Sequence, residues 1–368
     1  MENYQRRLKE FYTYLQAKTE RMIGYPSNQV YDYSELYDFF KLSINNLGDP
    51  LSNGPFKVKA HEFEKEVIEF VAEITGVADN NFWGYVTNGG TEGNMYGLYV
   101  AREMYPDSIV YYSEEAHYSI PKVLKLLKMP SIAISTNSNG EMDLKDLKNV
   151  LQVNRTKVPI FMATIGTTMK GAVDSVKGIQ NCVRELAFPN HYIHCDSALS
   201  GMILPFCETA PGFGIIDGVH SFSISGHKMF GSPMPCGVVV AKKDYVDRIG
   251  SSIEYIGALD TTLSGSRNGH TPLLLWYAIK KHGFEGYKTT VQGCLAVADH
   301  IIDELAKHDI KAWRNKFSVT VIIPRPSQHI IDKWQIAIQN DIAHIVSMPH
   351  VTKEQIDLFI IDYVKDMT

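Results

Sequence analysis

The sequence has few cysteines, and none at the spacing that would give them work beyond packing. Its five, Cys182, Cys195, Cys207, Cys236 and Cys294, include no Cys-x-x-Cys pair, which excludes a zinc ribbon and argues against a disulfide scaffold. We read them as reduced thiols in a cytoplasmic protein. The 13 histidines form no His-Glu-x-x-His, so no metal site is expected. No block of five or six basic residues occurs and the formal net charge is −5, which argues against a nucleic-acid binder. No apolar run reaches the ~18 residues of a membrane span. The N-terminus mixes Glu2 and Glu10 with Arg6, Arg7 and Lys9, where a targeting peptide needs an unbroken apolar core. Repeats and low-complexity stretches are missing too. What remains is a chain of 368 residues, 45% hydrophobic and 21% charged, long enough for one large α/β domain and a smaller one.

Helical and strand patterns alternate along it, which is the signature of a mostly parallel sheet covered by helices on both faces. Helices are expected over 2–18, 61–75, 91–105, 118–128 and 174–186. Strands are expected near 108–113, 131–135, 158–165, 191–196, 220–225 and 236–242. The first helix sets Tyr4, Leu8, Phe11, Tyr12 and Leu15 on one side, and such a stripe needs a partner, either another subunit or its own domain. From about 285 the order changes to a long helix, a β-rich run at 318–323, a helix, a strand near 343–348 and a last helix. The organisation expected is an N-terminal helical segment over 1–50 packing in a dimer, a large domain over 51–284 and a small α+β domain over 285–368.

Two residues carry chemistry. Lys228 follows the apolar run Ser221-Phe222-Ser223-Ile224-Ser225 and precedes Met229-Phe230-Gly231-Ser232-Pro233, with no other charge nearby. Burial there disfavours the ammonium form, and a neutral amine attacks carbonyls to form a Schiff base. Asp196 ends a second apolar run, Tyr192-Ile193-His194-Cys195-Asp196. An amine for an aldehyde and an anion for a pyridinium nitrogen, each ending a buried strand, are the two requirements of pyridoxal 5′-phosphate (PLP).

A phosphate needs N–H groups and hydroxyls at a helix start. Asn88-Gly89-Gly90-Thr91-Glu92-Gly93-Asn94 offers them, although a plain turn and cap explains the same residues. Ser225 and His227 flank the lysine as further donors. His117 lies just past a strand, where an open α/β sheet presents side chains to ligands. Its ring suits stacking on a flat heterocycle or relaying a proton, and a surface-loop histidine is the plain alternative.

With these pieces together the chain resembles the group II PLP-dependent amino-acid decarboxylases, in particular the short bacterial histidine decarboxylases, with plant serine decarboxylase as near kin. The similar segments are Trp83 to Asn94, His117-Tyr118-Ser119, Ile165-Gly166-Thr167-Thr168, Ile193 to Gly201, and Ser225-Gly226-His227-Lys228. Gly265 to His270 and Ala312 to Lys316 extend the likeness, which runs from about Gly24-Tyr25-Pro26 to the C-terminus. It implies a type I PLP-dependent transferase fold, aspartate aminotransferase-like. It further implies that Lys228 holds the cofactor aldehyde, Asp196 pairs with the ring nitrogen, His117 stacks on one ring face and Ala198 packs on the other. Gly89, Gly90, Thr91, Thr167, Ser225 and His227 would bind cofactor, largely at its phosphate. Ser266 would reach the phosphate of a neighbouring subunit, which makes a homodimer with shared active sites the expectation. His117 or Tyr118 would supply or relay the proton that replaces the carboxylate.

Substrate contacts are expected from Tyr25, Phe56 and Ser318. Ser318 matches a serine of the histidine enzymes, whereas Asn45 to Pro50 and Asp341 to Val346 read more like the serine enzymes. Phe56, in Asn53-Gly54-Pro55-Phe56, replaces a tyrosine usual in both groups. L-Histidine decarboxylation is the favoured expectation, with L-serine or another small amino acid as the alternative. An aminotransferase or C–S lyase on the same fold is the reading of different class. An aminotransferase would place an arginine of the small domain on the substrate carboxylate, and Arg314 and Arg325 are the arginines available after 285.

Overall fold

The computed structural model describes residues 2–52, 54–77, 81–253 and 258–367, so Asn53 of the expected substrate loop lies outside the described residues. Its centre is a seven-stranded sheet. The strands are β1 (Phe82–Thr87), β2 (Ser108–Ser113), β3 (Ser131–Ile134), β4 (Val158–Thr164), β5 (Tyr192–Asp196), β6 (Ser221–Ser225) and β7 (Gly237–Lys242). They lie in the order β1-β7-β6-β5-β4-β2-β3. β7 runs antiparallel to both neighbours, while the other pairings are parallel. Six carboxyl ends therefore open on one edge, where such sheets bind ligands.

Nearly continuous apolar runs form these strands because both faces are covered. Phe222, Ile224, Val238 and Val240 join one core cluster, while Val239 and Ala241 join the other with Trp83, Tyr85 and Met162. This is the period-two alternation of side chains across a sheet. Covering helices include α2 (His61–Ile74), α3 (Gly90–Met104), α4 (Ser119–Leu126), α5 (Leu144–Val153) and α6 (Val176–Glu185). Asp143 and Ser175 cap α5 and α6 by accepting backbone N–H groups, which satisfies donors that a helix start leaves free.

The C-terminal part begins with α7 (His270–Ala306), which Gly283 interrupts with φ 56° and ψ −171°. Beyond it β8 (Thr320–Pro324), β9 (Ala337–Gln339) and β10 (Ile342–Val346) form an antiparallel sheet in the order β8-β10-β9. It packs with α8 (Gln328–Trp334) and α9 (Lys353–Met367). The larger core cluster continues from the central sheet through Val291, Ala298 and Ile301 to Val321 and Ile345.

Two features of the N-terminal part bear on assembly. α1 (Glu2–Thr19) leaves Tyr4, Leu8, Phe11, Tyr12 and Leu15 exposed. Of the two coverings left open above, the described residues of its own domain leave this row about half exposed or more. Further on, the short strand Asn45–Leu47 pairs with Ser266–Asn268. That junction is locked from beneath by a buried ion pair between Glu64 and Arg267. Glu64 also accepts from Asn46 at 2.7 Å and from the Val86 N–H at 2.8 Å, so its charge is fully hydrogen-bonded. Among the described residues no helix is long and apolar enough to cross a membrane.

Candidate active site

At the carboxyl edge of the sheet a cleft of about 360 Å³ opens between the large sheet and the C-terminal part. Asp196 and Ser225 enter it as the last residues of β5 and β6, and Lys228 follows three residues later. Burial pulls the Lys228 amine below its ordinary pKa, against the nearby Asp196 charge, which pulls the other way. Desolvation wins, so the amine gives up its proton more readily than a surface lysine does. Thr164, opposite Asp196 in the β4–β5 register, also lines the cleft. Its buried hydroxyl has no hydrogen-bond partner among the described residues, so one polar group there is left for a ligand.

The neighbouring end of the cleft suits an anion. α3 starts at Gly90 behind Gly89 without a side-chain cap. Glu92, the acid of its first turn, is folded back onto the Asn88 N–H at 3.0 Å and the Tyr85 hydroxyl at 2.9 Å, away from the helix start. A Cβ on Gly90 would come within 2.8 Å of Ser225 Oγ, so glycine keeps that hydroxyl and the helix end close together. His227 donates from Nδ1 to the Cys236 carbonyl at 3.0 Å. Burial lowers its pKa, and an anion beside Nε2 would favour the second proton. Gly89 borders an adjoining hollow with Thr91, His227 and Ser264 rather than the main cleft. Together these groups fit a phosphate, and Lys228 and Asp196 fit the aldehyde and ring nitrogen of PLP.

His117 lines the same cleft. Its Nδ1 accepts the Ser119 N–H at 3.3 Å and lies 2.8 Å from Ser119 Oγ, which leaves the ring proton on Nε2. Burial lowers its pKa, Asp196 opposes this and Lys228 assists it, so the ring is a neutral flat wall. Tyr118 also reaches the cleft but is 68% exposed, its ring 4.2 Å from that of His117. Thr167 is buried in a tight loop, where its Oγ1 accepts the Ala172 N–H at 3.0 Å, and Ala198 lies on the cleft wall.

On the outer side the cleft is lined by Tyr25 and Ser318, two of the three residues from which substrate contacts were expected, and by His344, which sequence reasoning missed. Ser318 is buried, and its Oγ accepts the Thr320 N–H at 2.9 Å. It rests on Gly171, whose φ is +62° and where any Cβ would collide with the serine hydroxyl. His344 faces two carbonyls, Met169 O at 3.2 Å from Nδ1 and Gly24 O at 3.1 Å from Nε2. In β10 it reads as one more strand residue, so nothing in the sequence marks it. Asn94 was missed as well, although it lies one helical turn past Gly90. Phe56 and Ser266 do not line this cleft; Ser266 bonds instead to Asn45 at 3.2 Å.

No arginine of the described residues lines the cleft. Arg314 is held by Asp299 at 2.7 Å and by the carbonyls of Asn315 and Lys316. Arg325 donates to the Asn340 carbonyl on the surface. Neither stands where a substrate carboxylate would meet it.

A family model described as the pyridoxal-dependent decarboxylase conserved domain matches residues 1–322. The chain is 44% identical over 365 residues to a histidine decarboxylase of Vibrio campbellii, covering 98% of this chain and 95% of that one. It is 44% identical over 367 residues to a histidine decarboxylase of Morganella morganii, covering 99% and 97%. Among solved structures, L-methionine decarboxylase from Streptomyces sp. 590, complexed with L-methionine methyl ester, superposes with a TM-score of 0.91 at 23% identity, covering 99% of this chain and 95% of that one.

Proposed function

The chain belongs to the pyridoxal-dependent decarboxylases, and from that premise we propose that it removes carbon dioxide from L-histidine to form histamine. It is a carboxy-lyase with the type I fold of PLP-dependent enzymes, acting on an amino acid. The observation that carries the choice of histidine is the 44% identity to histidine decarboxylases over 98% of the chain.

When bound, PLP supplies an aldehyde that links to the substrate amine and a ring that takes up the electrons released as the carboxylate departs. The chain's residues divide the remaining tasks. The Lys228 amine, its proton affinity lowered by burial, would be the group that holds the aldehyde. Asp196, fixed by Asn94 and the Ala198 N–H, would face the ring nitrogen, a preorganised interaction of the kind that dominates catalysis. His117 and Ala198 would confine the ring, and Gly90, Thr91, Ser225 and His227 would hold the phosphate. His117 or Tyr118 would supply or relay the proton that takes the place of the carboxylate. With no arginine of the described residues lining the cleft, the substrate carboxylate has no guanidinium clamp there, which favours its loss over amino transfer.

The same reading makes the protein a homodimer. The uncovered apolar row of α1 needs a partner, and Ser266, outside its own cleft and accepting from Asn45, still has a hydroxyl proton to offer a neighbour's. Five free thiols and no disulfide support a cytoplasmic setting. The test of the substrate is a carbon dioxide-release assay across the standard amino acids with PLP added. Histidine is expected to give the highest kcat/KM, and a serine-to-histidine ratio above one overturns the reading in favour of serine.

A further inference from the structure

Behind Asp196 lies a chain of buried polar side chains whose donors point one way. Asn94 Nδ2 donates to Asp196 Oδ2 at 2.9 Å. The carboxylate accepts only, so the amide nitrogen must face it and Asn94 Oδ1 must face away. That oxygen lies 3.0 Å from His194 Nε2 and also accepts from Ser223 Oγ at 2.5 Å. His194 must then carry its proton on Nε2. Burial lowers its pKa to about 3, so it is neutral and Nδ1 can only accept. Ser221 Oγ, 2.6 Å away, must donate to it, and in turn accepts from the Tyr192 hydroxyl at 2.9 Å. Every proton position follows from the negative charge at one end.

The sequence makes room for this arrangement. Asn94 sits on α3 between Gly93 and Gly97. A Cβ on Gly93 would come within 2.6 Å of Ser223 Cβ, and one on Gly97 would collide with the His194 ring. The two glycines let the helix settle onto the sheet until Asn94 reaches between Asp196 and His194. All the members are buried, and only Asn94 and Asp196 line the cleft.

We propose that Asn94, His194, Ser221 and Tyr192 are positioning residues, a one-way hydrogen-bond relay that holds the Asp196 carboxylate in place for the cofactor's ring nitrogen. This rests on the reading in which Asp196 meets that nitrogen. Successive dipoles aligned toward the carboxylate stabilise its charge and fix its orientation without placing a cation nearby.

The test compares binding of PLP with that of an analogue in which a carbon replaces the ring nitrogen. Native protein should prefer PLP, and Asp196→Ala should abolish the preference. Asn94→Leu and His194→Leu should reduce it roughly tenfold or more, the loss expected for hydrogen bonds to a charged group. His194→Gln, which restores an N–H toward Asn94, should recover part of it. Tyr192→Phe removes one hydroxyl at almost constant volume, keeps the test open should the others misfold, and should move the preference a fewfold in the same direction. If native protein shows no preference, the Asp196 assignment and the relay fall together. If Asp196→Ala abolishes the preference while Tyr192→Phe and the folded Asn94 and His194 variants keep it at the native ratio, whatever loss of affinity the two ligands share, the relay alone is overturned.

Discussion

The floor and the mouth of the cleft are built differently. On the floor, Asp196 and Ser225 end adjoining strands, Lys228 follows a buried turn, and both carboxylate oxygens of Asp196 are held, by Asn94 at 2.9 Å and by the Ala198 N–H at 3.2 Å. At the mouth, Tyr118 is largely exposed, Tyr25 is 49% exposed and His344 offers two nitrogens to carbonyls that a neutral ring cannot both satisfy. Phe56 and Ser266 stand outside altogether. The floor performs one kind of bond breaking and tolerates little movement, because a displaced charge stabilises nothing. The mouth needs only to accept one side chain and reject others, and it borrows surfaces from loops and, on our reading, from a second copy.

The sharpest way to break this contrast is at Lys228. In Lys228→Ala, borohydride should no longer fix the cofactor to protein and turnover should fall to background; a surviving covalent adduct would remove this lysine from its role. Next in size, Asp196→Ala should still bind PLP through its phosphate yet lose about 10²–10³ in kcat, as removal of one preorganised charge typically does, and near-native turnover would place the ring nitrogen elsewhere.

Effects at the mouth should be smaller and more selective. Ser266→Ala should weaken PLP affinity by roughly tenfold, the worth of a hydrogen bond to a charged phosphate. Mixing it with a Lys228→Ala protein should restore part of the activity through heterodimers, while full activity in a monomeric fraction by light scattering would contradict a shared site. Ser318→Ala should lower kcat/KM for histidine about fivefold to tenfold, the worth of one neutral hydrogen bond, and leave that for alanine almost unchanged. Smallest of all, Phe56→Tyr should tilt preference slightly toward polar substrates, read as the serine-to-histidine ratio.

Legibility in the sequence follows the same division. Strands β2 to β7 stand out as short apolar runs, and the residues at their ends carried Lys228 and Asp196 into view. β1 was harder to see because Gly84 interrupts it, yet a Cβ there would collide with the Val239 carbonyl, so the apparent breaker is a packing requirement. α5 went unread although Asp143 caps it and Leu147 and Leu151 face the core. The break at Gly283 was invisible, since one glycine in a long helical pattern is usually tolerated. His344 and the partners of Asn94 depend on which strands lie side by side, which local pattern does not carry.

Gly171 and Ser318 have a consequence for how such an enzyme can change over generations. The serine hydroxyl occupies the space a side chain at 171 would need, and the loop holding that glycine also holds Thr167 on the cleft wall. On the proposed reading, in which Ser318 meets the substrate and Thr167 the cofactor, a larger residue at 318 would push on this loop and disturb both together. Lineages that keep the loop are confined to small side chains at 318, and diversification of substrate has to proceed through other positions first.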